Sequence, residues 1–329
     1  MKFASIRNGE RDGALALVSR DLSRAVMAVD IAPTLQAALE RWQALEPVLR
    51  QRYELLDAGR APDSFAFDPA RALAPLPRAY QFVDASAFLN HGNIMEEAYR
   101  LTVKKTPGVP ILVQRQSDDF LGAQDDYPFP QESDQGDFEG EVAVVLDDVP
   151  MGVDPGRALS HVRLLMLFND MSMRAHLFRE LSMGFGFIQA KPSTAFAPVA
   201  VTPDELGAAW SGGRVALDLH VSRNGEPFGH PNGREMDFGF GELVAHLAYN
   251  RNLRAGTILG SGTFSNRNHR AVGSACLAER RAVEVIDQGA PRTPFLAFGE
   301  RLRFEMFGED GRSVFGAIDH RMVPAKAAA

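Results

Sequence analysis

Two glutamates one residue apart, Glu139-Gly140-Glu141, lead into the apolar run Val142-Ala143-Val144-Val145-Leu146. Strand side chains alternate faces, so positions 139 and 141 project to the same side. Two carboxylates that close repel by roughly 4 kcal/mol at an effective dielectric of about 20. The chain must either expose the pair, as a solvated strand end, or supply it with a cation. Asp170 follows a second apolar run, Val162 to Phe168, within Asn169-Asp170-Met171-Ser172-Met173-Arg174. A carboxylate there either caps a following helix, a role Ser172 could share, or serves a site built at a strand end. Arg174 could neutralise Asp170 or bind an anionic substrate. Asp84 and His91 would share a face if the chain from Ala85 to Asn90 were helical. Lys191, among small and apolar neighbours, is either an exposed loop lysine or a contact for an oxyanion or carboxylate. The other histidines (161, 176, 220, 230, 246, 269 and 320) lack metal-binding His-Glu-x-x-His spacing.

These side chains need a scaffold, and the pattern around them is β-rich. Residues 1–30 read as a small β-meander, with Phe3–Ile6, Ala14–Val18 and Ala25–Val29 as strands. Thr34 is suited to cap a helix running to about Asp57, with Leu35, Leu39, Trp42, Leu45, Val48 and Leu49 at helical spacing. Pro62, Pro69, Pro75 and Pro77 mark a linker, which places a boundary between residues 1–77 and 78–329. The polar segment from Gln116 to Gln135, with Asp118, Asp119, Asp125 and Asp126, suits a solvated loop or a lid. Residues 215–221 alternate, Asn224-Gly225 gives a tight hairpin, and Leu243, Val244, Leu247 and Ala248 mark a helix. Late strands are expected at Val283–Ile286 and Leu302–Met306.

The chain has 329 residues, 45% of them hydrophobic and 23% charged, which are ordinary values for a soluble globular protein. Its net charge of -7 and the lack of a basic cluster argue against nucleic acid as a partner. No run approaches the length of a membrane span, and the charged start lacks the apolar core of a signal peptide. The single cysteine, Cys276, excludes an intrachain disulfide and thiolate-rich metal sites, consistent with a reducing, cytoplasmic setting. Gly256, Gly260 and Gly262 lack dinucleotide-binding spacing, as do Gly239 and Gly241. A phosphate loop and a serine-hydrolase elbow are also missing.

The order and spacing of these elements resemble the fumarylacetoacetate hydrolase family over roughly residues 78–325. The first 75 or so are similar to the small N-terminal β-domain of some bacterial members. The resemblance implies an α+β, β-rich fold, a mixed β-sandwich or β-roll with a small N-terminal β-domain. It implies metal ligation by Asp84, Glu139, Glu141 and Asp170. The family's Asp-x-Ser-x-Arg element falls on Asp170 to Arg174, its lysine on Lys191, and its Gly-small-Gly-Thr element on Gly260-Ser261-Gly262-Thr263. In the hydrolytic branch the catalytic histidine and its orienting glutamate fall on His91 and Glu279, with Lys191 supporting. Substrate contacts fall on Arg100, Arg174, Thr263 and Ser86. Ser86 replaces the tyrosine, and Leu177 the glutamine, of enzymes acting on fumarylacetoacetate itself.

A ligand set of carboxylates favours Mg²⁺, then Mn²⁺ or Ca²⁺. The implied activity is metal-dependent hydrolysis of a C–C bond in a small β-diketo or acylpyruvate-type acid by a homodimer. Decarboxylation, hydration or isomerisation of small 2-oxo acids is the alternative on the same fold. A non-catalytic metal- and ligand-binding protein is the second alternative, motivated by Ser86 and Leu177.

Overall fold

Strand Gly140–Leu146 is buried along its whole length. Val142, Val144 and Leu146 enter one apolar cluster, and Ala143 and Val145 enter another. A strand packed on both faces reads as a continuous apolar run, as this one does. It lies inside an eleven-stranded mixed sheet. On one side it pairs antiparallel with Val162–Asn169, and on the other antiparallel with Ile258–Gly260. Phe82–Ala85 joins Ile258–Gly260 in parallel, and Leu112–Arg115 forms that edge. A five-stranded sheet, which includes Leu219–Arg223, Arg301–Met306 and Ile318–Pro324, packs its Leu219, Val221, Phe304 and Met306 into the cluster holding Val142 and Val144. Helix Trp42–Asp57 covers the opposite face with Trp42, Leu49, Tyr53 and Leu56. The result is the expected β-rich α+β sandwich. This computed structural model describes residues 1–100 and 106–326.

The N-terminal strands extend the large sheet instead of closing on themselves. Lys2 and Phe3 pair with Val201 and Ala200, and Lys2–Ile6, Ala14–Val18 and Arg24–Met27 follow in order. Thr34 caps its helix by accepting from the Ala37 N–H at 3.2 Å. The expected helix is broken, however, into Leu35–Leu39 and Trp42–Asp57. Asn224 and Gly225 take φ of 54° and 82°, the left-handed pair that a two-residue hairpin turn requires.

Three expectations are corrected. Val283–Ile286 is not a strand but part of helix Leu277–Gln288, which ends at Gly289 in the left-handed conformation (φ 83°). The helix expected over 85–90 starts later: Asp84 and Ala85 belong to a strand, and the helix bearing His91 runs from Leu89 to Tyr99. Residues 116–135, expected as a solvated loop or a lid, are instead partly built into the fold. Tyr127–Phe129 pairs with Met322–Pro324, Asp134 is buried, and Asp125 and Asp126 bind Arg7 and Arg321. Among the described residues, no helix is long and apolar enough to cross a membrane.

Candidate active site and metal centre

The register of the large sheet assembles the acids. Phe168 lies opposite Glu141, and Asn169 opposite Gly140, so Asp170 emerges beside the Glu141 strand. The Asp170 N–H donates to the Glu139 carbonyl at 2.8 Å, and the Glu139 N–H donates to the Asn169 side chain at 3.1 Å. Asp84 lies in its strand one step beyond the Val83–Leu259 pair, next to Gly260. Its Oδ1 accepts from the Gly262 N–H at 3.1 Å. Carboxylate oxygens of Asp84, Glu141 and Asp170 consequently lie within 4.8 Å of one another.

Gly260 is required for this approach. A Cβ there would stand 2.3 Å from Asp84 Oδ1 and 2.8 Å from Phe168 Cζ. The Gly260→Ala variant should lose about 1–3 kcal/mol of stability in urea unfolding and bind divalent cations more weakly, because Asp84 must retreat. An unchanged unfolding midpoint together with unchanged affinity would contradict that role.

Three permanent cations enclose the acids. Arg115 Nε reaches Asp170 Oδ1 at 2.9 Å, and Lys191 Nζ bridges Asp170 Oδ2 at 2.6 Å and Glu139 Oε2 at 2.5 Å. Arg174 bonds Glu139 Oε1 at 2.6 Å and Asp137 Oδ2 at 2.8 Å. Asp137 in turn accepts the Leu277 and Ala278 N–H groups at 2.7 and 2.9 Å, tying the Glu279 helix to the site. Burial alone would raise the Glu139 pKa, but Lys191 and Arg174 outweigh it and hold the carboxyl well below its usual range. Burial would likewise lower the Lys191 pKa, yet Asp170 and Glu139 raise it. Asp84 and Glu141 have no such support. Burial and the nearby Asp170 push Asp84 up to about 7, and burial together with Asp84 pushes Glu141 well above its normal value.

The donor set fits a hard divalent cation. Neither oxygen of the fully buried Glu141 has a hydrogen-bond partner. Among the described residues, six acids (Asp84, Asp137, Glu139, Glu141, Asp170 and Glu279) face Arg115, Arg174 and Lys191 as permanent positive charges. Buried charge at such a deficit is costly unless an ion or protons restore the balance. All-oxygen ligation is the pattern of Mg²⁺, Mn²⁺ or Ca²⁺. Of the four ligands expected from the sequence, Asp84, Glu141 and Asp170 converge. Glu139 instead has both oxygens engaged by Arg174 and Lys191, and its ligand atom groups with those of His91 and Cys276.

His91 Nδ1 lies 2.9 Å from Glu279 Oε2. Glu279 is fully buried in the first turn of its helix. His91, Asp84, Glu139 and Glu141 line one cavity of about 280 Å³, along with Ser86, Thr263 and Leu177. Thr263 Oγ1 is buried with no hydrogen-bond partner. Arg174 lines the cavity too, but it neutralises Asp137 and Glu139, whereas Asp170 receives Arg115 and Lys191. Asp170 does not cap a helix; the next one is preceded by Met173. Arg100 does not line the cavity. It is exposed at the C-cap of the His91 helix, with a left-handed backbone.

Sequence reasoning missed Arg115, Asp137 and Asn169. Asp137 had a signal, since Asp137, Glu139 and Glu141 continue one alternation. Arg115 had none: it reaches Asp170 only because its edge strand pairs with the Asp84 strand.

Comparison with known proteins supplies further findings. Residues 82–323 match the family described as fumarylacetoacetate (FAA) hydrolase C-terminal, and residues 1–78 match fumarylacetoacetase N-terminal domain 2. A curated relative, 2,4-didehydro-3-deoxy-L-rhamnonate hydrolase of Sphingomonas sp. (strain SKA58), is 29% identical over 48% of this chain and 53% of its own length. The chain thus spans about half the length of the curated relatives it matches. A putative HpcE protein from Mycobacterium smegmatis superimposes with a TM-score of 0.68 at 20% identity, covering 99% of this chain and 100% of the other. Maleylpyruvate hydrolase from Sphingobium sp. SYK-6, solved with manganese(II) and pyruvate, gives 0.66 at 14% identity, covering 99% and 100%. At these identities the structural matches establish the fold alone.

Proposed function

The chain belongs to the fumarylacetoacetate hydrolase family, and from that premise we propose that it is a divalent-metal-dependent hydrolase cleaving the C–C bond of an acylpyruvate-type diketo acid. The observation that carries this is the convergence of the unpartnered Glu141 carboxylate with Asp84 and Asp170, Glu141 and Asp84 lining the same cavity as His91, which Glu279 holds from behind. A homodimer and a cytoplasmic setting belong to the proposal on the resemblance alone.

Asp84, Glu141 and Asp170 would hold the ion, with Glu139 available only if Arg174 or Lys191 yields a contact. When bound, the cation supplies Lewis-acid polarisation of the 2-oxo acid end of the substrate. Glu279 accepts a hydrogen bond from His91 Nδ1–H, which leaves Nε2 as the basic nitrogen. His91 then takes a proton from water as its oxygen attacks the acyl carbon. The bond between that carbon and the methylene breaks, and its electron pair stays on the methylene carbon. Protonation there releases pyruvate, and the acyl group leaves as a carboxylate. Lys191 and Arg174 place positive charge beside the developing oxyanion. Thr263 Oγ1 offers an unused donor to the substrate carboxylate.

Purified protein given a simple acylpyruvate should release pyruvate with Mg²⁺ or Mn²⁺ and stop when EDTA is added. Release no faster than with the cation alone would refute the assignment. Oxaloacetate decarboxylation, run alongside, tests the alternative chemistry; the His91–Glu279 contact favours hydrolysis.

A further inference from the structure

The cavity is chemically two-sided. Its floor holds the carboxylates and their cations, while its outer wall is built from Met95, Ile111, Leu177, Phe178, Leu181 and Phe187. Every cation among its described lining residues is already committed: Arg115 to Asp170, Arg174 to Asp137 and Glu139, and Lys191 to Glu139 and Asp170. Phe178 and Leu181 are 56% and 50% exposed, so apolar surface continuous with the site stands uncovered.

We propose that the acyl end of the substrate is an uncharged apolar group, aryl or alkyl, and not a second carboxylate. A tail of that kind would cover Phe178 and Leu181 and gain the burial energy they forgo in water. A carboxylate there would be desolvated against apolar carbon with no free cation among the described lining residues. The inference rests on the proposed reaction only in taking the metal-binding end of the ligand to be a 2-oxo acid.

Calorimetry on the Mn²⁺-loaded protein separates the cases without turnover, using 2-oxoheptanoate and 2-oxoadipate, which differ at the far end. The apolar acid should bind at least about tenfold more tightly. In Leu181→Arg, a half-exposed position that accommodates a long side chain, the preference should shrink or reverse. Equal binding, tighter binding of the dicarboxylate, or no measurable binding of either would overturn the inference. Tight binding of 2-oxoheptanoate with no pyruvate released from benzoylpyruvate would remove hydrolysis and leave the apolar tail standing.

Discussion

Replacing His91 by alanine should lower acylpyruvate cleavage by about 10²–10⁴-fold, the range a positioned general base contributes, with divalent-cation affinity nearly unchanged. The separation follows from where the groups sit. His91 stands on its own helix and bonds Glu279, whereas Asp84 and Glu141 lie in two strands of the large sheet and Asp170 directly follows a third. Removing the imidazole leaves that trio and its partners Arg115 and Lys191 in place. Steady-state pyruvate release and cation titration of the same preparation measure both quantities. Loss of cation binding with turnover intact would reverse the assigned roles. If His91→Ala abolished hydrolysis but preserved oxaloacetate decarboxylation, the imidazole would be tied to the attacking water.

How much of this was legible depended on whether a contact is encoded locally. The acids at 139 and 141 declared themselves because a strand cannot ignore two charges on one face. The Asp170–Arg174 element was equally visible, but its pairing was not: which cation meets which acid is decided by strand order. Arg115 lies far along the chain from Asp170 and meets it only because edge strand Leu112–Arg115 pairs with the Asp84 strand. The misassigned strand at 283–286 shows the opposite failure. Val283, Val285 and Ile286 have β-branched character, yet the helix there starts at Cys276, donates its first N–H groups to Asp137, and closes at Gly289. Tertiary anchoring of the helix start overrode local propensity. The same anchoring brings Glu279 to His91, so the fold detail missed by pattern is part of what builds the site.

Replacing Glu141 by glutamine should weaken divalent-cation binding at least about 10–100-fold, the range reported for losing even a supporting partner of a ligand. In the cation-free protein the same change should act in the opposite direction. Glu141 is fully buried without a donor, and burial together with Asp84 and Asp170 disfavours its ionised form. In the cation-free fold, burial and Asp170 raise Asp84 to about 7. The folded state therefore retains a proton that the unfolded chain releases near pH 4 (about 3.9 for a free aspartate). That contribution to stability is fully present below pH of about 4 and is lost as pH rises through about 7. The thermal midpoint of the cation-free wild type should thus fall across this window. Added Mg²⁺ or Mn²⁺ should oppose the fall, increasingly as pH rises, because binding then displaces fewer protons. An uncharged amide of the same size relieves the repulsion, so Glu141→Gln should flatten the cation-free decline and lose most of the cation-dependent gain. Melting curves from pH 4 to 8, with and without cation, read both effects in one series. A variant that kept the wild-type slope and the wild-type cation response would show that Glu141 does not face the ion, because no other placement of this carboxylate predicts opposite signs for the two states.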